Sequence, residues 1–453
     1  MSGFSPAPEQ VLATLNKDGS RRWLRPRVSK GRFYKRRLVL AWLLMGVFVA
    51  LPNLTIGGRP AVLIDLAHRE LALFGARFLA TDTLLLMLLM VAIFVGVFLL
   101  TALYGRVWCG WACPQTIYLE FLFRPIERLA EGGRRGTSSI PRRTAKLVAF
   151  GLVSLLLAHT FLAYFVGVEE LGRWMRQSPF QHPASFLVMA ATAALVFFDF
   201  ASFREQMCSV ACPYGRFQSV LLDKQSLIVG YDAARGEPRG KPGATKGDCV
   251  DCGACVTTCP TGLDIRQGFQ MECIHCTQCI DACDAIMDRL GRPRGLVKYT
   301  SQDELAGAPR RFLRPRVVIY PLILIGVVGA LIFASAERKA ADVTVLRDRG
   351  APYALLPSGQ VSNALRIKVV NRTEAPKRYL IEVLGIDGVE LVAPENPIAL
   401  GPGQSATANV FVVAKKADFA SGDRDVTVRV GDGEGFTEDV SYRLFGPSGG
   451  GAP

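Results

Sequence analysis

The chain has 453 residues; half are hydrophobic, the mean hydropathy is positive, and the formal net charge is +14. That length allows two or three domains. Such an apolar composition excludes an all-soluble protein of ordinary type and points to membrane spans. The basic excess would suit nucleic acid only if it were gathered in one patch, and its distribution excludes that reading.

Residues 1–37 form a polar tail that ends in Lys35-Arg36-Arg37. The apolar run from Leu38 to about Leu54 has basic flanks and no A-x-A cleavage signal, which predicts an uncleaved span. Residues 57–82 are mixed, with a turn at Gly57-Gly58-Arg59-Pro60. Further spans are predicted at about Thr83–Gly105, Leu147–Val168, Ala184–Phe203 and Val317–Ala336. Each approaches the roughly 20 residues that a helix needs to cross a bilayer. The loop after the second span is basic and includes Arg134-Arg135 and Arg142-Arg143. The tail holds 10 Lys and Arg residues, and the four following connections hold 3, 8, 2 and 16. By the positive-inside rule the tail, the loop at 106–146 and the segment at 204–315 face the cytoplasm. The C-terminal segment then lies in the periplasm of a Gram-negative cell, and the protein is a multi-pass protein of the inner membrane. Orientation and anionic lipid account for the positive charge without nucleic acid.

The segment 204–315 carries the strongest motif. It reads Cys249-Val-Asp-Cys252-Gly-Ala-Cys255-Val-Thr-Thr-Cys259-Pro260, then repeats as Cys273-Ile-His-Cys276-Thr-Gln-Cys279-Ile-Asp-Ala-Cys283. Two C-x2-C-x2-C-x3-C runs this close are the bacterial ferredoxin signature for two 4Fe–4S clusters. Three thiolates of a run surround one cube, and the fourth crosses to the other. Cys249, Cys252, Cys255 and Cys283 are therefore assigned to one cluster, and Cys273, Cys276, Cys279 and Cys259 to the other. Zinc sites use a longer spacer between C-x2-C units, and disulfides require an oxidising compartment.

Four more cysteines sit at predicted membrane edges, in Trp108-Cys109-Gly110-Trp111-Ala112-Cys113-Pro114 and Cys208-Ser209-Val210-Ala211-Cys212-Pro213-Tyr214. Both are C-x3-C-P. If each motif stays helical, its two thiols share one helix face. The two pairs together then offer four soft thiolates suited to Cu(I), a further Fe–S centre or zinc. His159 lies within the third span, where an ionisable group is a functional candidate by default; a His packed among helices is the plainer reading. Asp82 and Asp199 lie near interfaces, and His275, between two cluster ligands, is read as tuning its cluster.

The segment 338–453 has a different pattern. Leu365–Val370, Tyr379–Val383, Ala408–Val413, Val426–Val430 and Val440–Leu444 are short β-branched runs separated by turns such as Gly385-Ile-Asp-Gly388 and Gly401-Pro-Gly403. They predict an immunoglobulin-like β-sandwich. This segment has no Cys, Met or His, so docking suits it better than metal storage. Asn371-Arg-Thr373 matches a glycosylation acceptor.

The predicted architecture is a multidomain membrane protein. A cytoplasmic tail (1–37) leads to four spans with the two C-x3-C-P motifs (38–203). An inserted α+β dicluster ferredoxin domain (204–315), a fifth span (316–337) and the all-β sandwich (338–453) follow. This combination resembles the CcoG/FixG/RdxA family of membrane-bound cytochrome oxidase accessory proteins. The resemblance rests on the basic tail, the five spans, Cys109-Gly-Trp-Ala-Cys113-Pro, Cys208-Ser-Val-Ala-Cys212-Pro-Tyr, the tandem ferredoxin repeat and the terminal β-domain. It implies a role in assembling cbb-type cytochrome c oxidase by reducing Cu(II) to Cu(I). Implied partners are oxidase subunits or periplasmic copper chaperones, together with membrane lipid and a cytoplasmic electron donor. The membrane-edge motifs also resemble those of the NapH and NosR electron-transfer proteins, which implies a quinol- or ferredoxin-linked conduit without copper. A non-redox assembly scaffold is a third reading. Asp284 follows Cys283 where many ferredoxins have Pro, which touches loop geometry and not ligand count.

Overall fold

The computed structural model describes residues 13–447 apart from 17, 19, 67–68, 132–139, 242–245 and 310–312. Arg134 and Arg135 of the basic loop, the first dozen residues of the tail and the last six of the chain lie outside the described residues. The chain divides into two compact units, Met1–Phe78 with Leu86–Gly329, and Leu79–Leu85 with Ala330–Pro453.

Five helices among the described residues are long and apolar enough to cross a membrane: Arg32–Asn53, Thr83–Tyr104, Ile140–Val166, Pro183–Phe203 and Pro315–Ala336. Their outward faces carry Phe94, Leu187 and Ile325, all exposed. Such a face suits lipid as solvent, since water would penalise it at every turn. The first helix begins at Arg32, ahead of the expected Leu38. Asp281 explains the early start: its carboxylate accepts hydrogen bonds from the backbone N–H groups of Phe33 (3.1 Å) and Tyr34 (2.7 Å). Those are orphan donors at a helix N-terminus, where a negative charge is also favoured by the helix dipole.

After each C-x3-C-P motif the chain folds back as short helices. Pro114–Tyr118, a π-turn at Leu119–Phe123 and Arg124–Glu131 follow the first motif. This segment buries an aromatic core, in which Phe123 stacks on Phe200 (4.2 Å between centroids) and meets Phe150 edge-on (4.9 Å).

The ferredoxin segment is built on an antiparallel pair, Ile228–Tyr231 with Val297–Thr300, and the helices Ala254–Thr257 and Gln278–Arg289. The two cysteine runs repeat one backbone conformation. The residues on either side of the second Cys, Asp251 and Gly253 in one run and His275 and Thr277 in the other, all have positive φ between 49° and 61°. Three of the four are not glycine, a local strain that persists only where the surroundings demand it. Tail residues pack against this segment. The N–H of Arg27 donates to Thr257 O (2.9 Å) and that of Ser29 to Gln278 Oε1 (3.2 Å).

The second unit holds the sandwich. One sheet runs in the order Glu390–Val392, Ser405–Ala414, Val361–Asn371, Ala341–Arg347, with Ala354–Leu355 paired on Val361–Asn371. The other runs Ile398–Leu400, Lys377–Leu384, Asp423–Gly431, Thr437–Phe445. All pairings are antiparallel. Alternate residues such as Leu365, Ile367, Val369, Val410, Val412, Val426 and Val428 point into one core, as the two-residue period of a strand requires. Asn371 is buried and donates to the carbonyls of Ala375 (2.8 Å), Leu400 (3.2 Å) and Gly401 (3.1 Å). It also accepts from Thr373 and Tyr379. The acceptor-like triplet therefore presents no free side chain for glycosylation; its Asn is a structural hub.

Candidate redox site

The ferredoxin cysteines line two small cavities. One is bounded by Cys249, Cys252, Cys255 and Cys283, together with apolar groups including Ile286, Met287 and Leu296. The other is bounded by Cys259, Cys273, Cys276 and Cys279, with Cys255 shared between the two. In the first, three thiols come from one run and the fourth from the other; the second has three from its own run, Cys259 from the other, and the shared Cys255 at its edge. Burial pushes these thiols up, Cys255 to about 11 and Cys273, Cys276 and Cys283 to about 12, and neighbouring thiols add to the shift. Protonated, buried and grouped, they suit a soft cationic centre that takes over the proton's role.

The second set of cysteines departs from the single-helix expectation. Cys109 lies in the short helix Val107–Trp111 and Cys208 in a π-turn, Met207–Ala211. Cys113 and Cys212 are extended (ψ 125° and 108°) and cap the next helices, Pro114–Tyr118 and Pro213–Leu221. The prolines explain this, since a residue before Pro is driven out of the helical region. The two motifs close alike: Cys113 N–H donates to Trp108 O (2.9 Å) and Cys212 N–H to Met207 O (2.7 Å). The four thiols are near enough to act on one another electrostatically. Burial pushes Cys109 up to about 11 and Cys208 up to about 12. The Cys109 thiol donates to Gln218 Oε1 (3.1 Å), and the buried Gln218 amide donates in turn to Thr101, Gly105 and Tyr214 (3.2 Å each). Among the described residues, no three His, Cys, Asp or Glu side chains converge closely enough to hold a single metal ion.

The two cysteine sites touch. Cys109, Ile274 and Cys276 share one apolar cluster, flanked by Cys208 and Tyr214. Gly110 lies flat on the ferredoxin loop: a Cβ there would stand 2.4 Å from Ile274 O and 2.8 Å from Cys276 N. Only glycine permits that approach. Hydrogen bonds lock the contact. Arg106 N–H donates to His275 Nδ1 (3.2 Å), and the Arg106 guanidinium donates to Met271 O. Trp111 Nε1 donates to Tyr299 OH (3.1 Å), which donates to His275 O (3.2 Å). Burial and the Arg106 guanidinium hold the His275 imidazole down to about 3, so the ring is neutral and Nδ1 is free to accept. Of the two cysteine cavities in the ferredoxin segment, the one with Cys276 is therefore the one that abuts the membrane-edge cysteines.

Two arginines stand at this junction. Arg37 is 1% exposed, its Nε donates to Gly110 O (2.9 Å), and its guanidinium lies 5.2 Å over the Phe121 ring. Arg106 is also buried. Neither pairs with a carboxylate among the described residues, and each keeps an unpartnered nitrogen. A buried, unpaired guanidinium costs several kcal/mol unless an anion stands nearby. A 4Fe–4S cube with four thiolates carries net negative charge, so these residues fit such groups. Sequence reading missed Arg37, Arg106, Gln218 and Tyr299, which lie far along the chain from the cysteines they serve.

The remaining candidates have nearby partners. His159 Nδ1 meets the Leu155 carbonyl of its own helix (2.8 Å). Asp82 pairs with Arg338 (2.6 Å) and Arg372 (3.2 Å), and Asp199 accepts from Gln115 Nε2 (3.1 Å).

Residues 203–302 match the family described as "4Fe-4S dicluster domain", and residues 86–131 match "4Fe-4S binding domain". Residues 331–447 match "IG-like fold at C-terminal of FixG". The chain is similar to Protein RdxA of Cereibacter sphaeroides (36% identity, covering 80% of this chain and 82% of that one). It is also similar to Nitrogen fixation protein FixG of Rhizobium meliloti (30%; 94% and 93%) and to Protein RdxB of Cereibacter sphaeroides (32%; 87% and 90%).

Proposed function

The chain is an iron–sulfur electron-transfer protein of the CcoG/FixG/RdxA family, and from that premise we propose that it reduces Cu(II) to Cu(I) during assembly of cbb-type cytochrome c oxidase. A cytoplasmic donor supplies the electrons. Cys109, Cys113, Cys208 and Cys212 form the delivery site, where thiolates favour Cu(I) over Cu(II). The reaction is Cu(II) + e⁻ → Cu(I); no bond to carbon or hydrogen changes, so no general acid or base is assigned. The observation that carries the reading is the contact of Gly110 and Cys109 with Ile274 and Cys276, which sets the two cysteine systems against each other.

Cys249, Cys252, Cys255 and Cys283 would hold one 4Fe–4S cluster, and Cys259, Cys273, Cys276 and Cys279 the other; when bound, they supply one-electron redox capacity. Gln218 orients Cys109, neutral His275 fixes the loop between Cys273 and Cys276, and Arg37 and Arg106 offset negative charge at the junction. In this reading the five apolar helices all span an inner membrane. The tail and the segment 204–315 are cytoplasmic, and the sandwich from 338 onward is periplasmic, where it docks oxidase subunits or copper chaperones.

A second reading places a further Fe–S centre on the four membrane-edge thiols, making the protein a conduit without copper. It is supported by the match of residues 86–131, which contain only Cys109 and Cys113, to a 4Fe-4S binding domain. The test is a single-turnover assay. Reduced, desalted protein is mixed with Cu(II) and a Cu(I)-specific chelator while recovery of cluster absorbance is followed. Cupric reduction predicts that Cys109→Ser and Cys208→Ser slow Cu(I) formation at least tenfold with ferredoxin iron retained. Equal rates in wild type and variants would sink it.

A further inference from the structure

A further cavity borders the ferredoxin cysteines without reaching the membrane-edge ones. It encloses about 680 Å³ between tail residues 22–28, the helix Arg124–Glu131 and the ferredoxin segment at Val256–Gly262, and Cys259 lies in its wall. Six arginines line it: Arg22, Arg25, Arg27, Arg124, Arg128 and Arg204. Only two carboxylates do, Glu127 and Glu131.

Ion pairing leaves a positive remainder. Arg204 is taken by Glu127 (2.8 Å) and Arg25 by Glu131 (3.0 Å). Arg124 is taken by Glu120 and by Glu205 (3.3 Å) from behind the wall. Arg22 and Arg27 are exposed at the mouth and Arg128 is half-buried, and none of the three pairs with a carboxylate among the described residues. The Arg128 guanidinium reaches only the Pro26 carbonyl, at 3.5 Å. Arg124 and Arg204 are 2% and 4% exposed, and the Nε–H of each has no hydrogen-bond partner, that of Arg204 standing 3.7 Å from Glu205. Buried N–H donors and unpaired guanidinium groups around one space are the chemistry of a phosphate site, because the planar fork matches phosphate oxygens two at a time. Trp23 stands at the rim with Arg21 stacked on its ring (3.9 Å). The volume is that of a small-molecule pocket.

We propose that this cavity binds a phosphate-bearing anion of mononucleotide size, held by Arg22, Arg27 and Arg128 beside the Cys259 edge of the ferredoxin segment. The phosphate belongs either to a soluble nucleotide or to an anionic lipid headgroup. The site is independent of what the membrane-edge cysteines reduce.

The test uses the intact protein in detergent. Inorganic pyrophosphate, AMP and FMN are titrated by calorimetry, with tryptophan fluorescence as a second readout. Bound phospholipid is measured after extraction. The Arg22→Gln/Arg27→Gln/Arg128→Gln variant should weaken binding of at least one soluble probe tenfold or more, or lose a co-purifying anionic lipid, while iron content stays at the wild-type level. The first result assigns a nucleotide, the second a headgroup. Arg128→Gln alone serves if the triple variant does not fold. Two results overturn the proposal: no probe binds and no lipid co-purifies, or binding is unchanged in the variants.

Discussion

Arg37→Met tests the electrostatics of the junction. Methionine keeps an unbranched apolar stem, is shorter, and removes the charge. Arg37 Nε lies 2.9 Å from Gly110 O, and the Gly110 Cβ position lies 2.9 Å from Cys276 Cα. Added to the span of the Gly110 backbone and the Cys276 side chain, these contacts put the guanidinium within roughly 12 Å of the Cys276 sulfur. At an effective dielectric constant of about 20, a unit charge at that distance contributes about 1.4 kcal/mol. For a one-electron couple, with about 59 mV per tenfold change in equilibrium constant, that is about 60 mV. Reduction adds negative charge, so losing the cation makes reduction harder and the midpoint potential falls. The assay is an EPR-monitored redox titration of the purified protein. The expected result is a drop of that order for the cluster on Cys276, with the cluster on Cys249, Cys252, Cys255 and Cys283 shifting by much less. A shift below about 20 mV, or equal shifts in both clusters, would refute the placement of Arg37 as the counter-charge.

Three further outcomes are expected. Gly110→Ala forces a methyl group into backbone at 2.4 Å, so Cu(I) formation should slow while ferredoxin iron is kept; unchanged rates would show that the contact is not on the electron route. Asn371→Leu removes the amide donations to the carbonyls of Leu400, Ala375 and Gly401, of which Ala375 O keeps the Thr373 hydroxyl and Gly401 O keeps the Gln404 N–H, a cost of about 1–3 kcal/mol. It should lower the melting temperature of the sandwich transition by several degrees in calorimetry of the full chain, leaving iron content alone. Asp432 gives a pH dependence. Burial pushes its carboxyl up, but the N–H groups of Glu434 and Phe436 and the Lys377 ammonium outweigh burial and hold it below 3.8. A carboxyl depressed on folding stabilises the fold above its unfolded pKa, and that contribution fades as pH falls through the folded value. Asp432→Asn should therefore melt earlier than wild type at pH 7, with the gap closing below pH 3.8.

The features legible in the sequence share one property: their signal is local. Cysteine spacing, apolar runs and period-two strands such as Leu365–Val370 are written within a few residues of one another. The strands Glu390–Val392 and Ile398–Leu400 are too short to show a period. Ala341–Arg347 alternates Ala341, Val343 and Val345 with Asp342 and Thr344, but follows so closely on a long apolar helix that its start is not marked. The early start of the first helix depends on Asp281, 247 and 248 positions away from its partners. Arg37 read as one of three basic residues flanking a span, yet it is the buried one, because only its side chain reaches Gly110 O. The break at Cys113 and Cys212 had a local signal in Pro114 and Pro213, since proline bars the preceding residue from the helix. Gln218 had none: a polar residue in Pro213–Leu221 becomes a thiol partner only once Thr101 and Tyr214 are packed around it.

What the four membrane-edge thiols hold separates cupric reduction from a conduit without copper. The most direct measurement is EPR with iron and copper quantification on anaerobically purified protein and on the variant with Cys109, Cys113, Cys208 and Cys212 all changed to Ser. Two clusters on the ferredoxin cysteines predict about eight iron atoms per chain in both proteins. Copper should bind the wild type and be lost from the variant. A fall of about four iron atoms in the variant, with copper binding unaffected, would contradict cupric reduction at this site and assign the thiols to a further Fe–S centre.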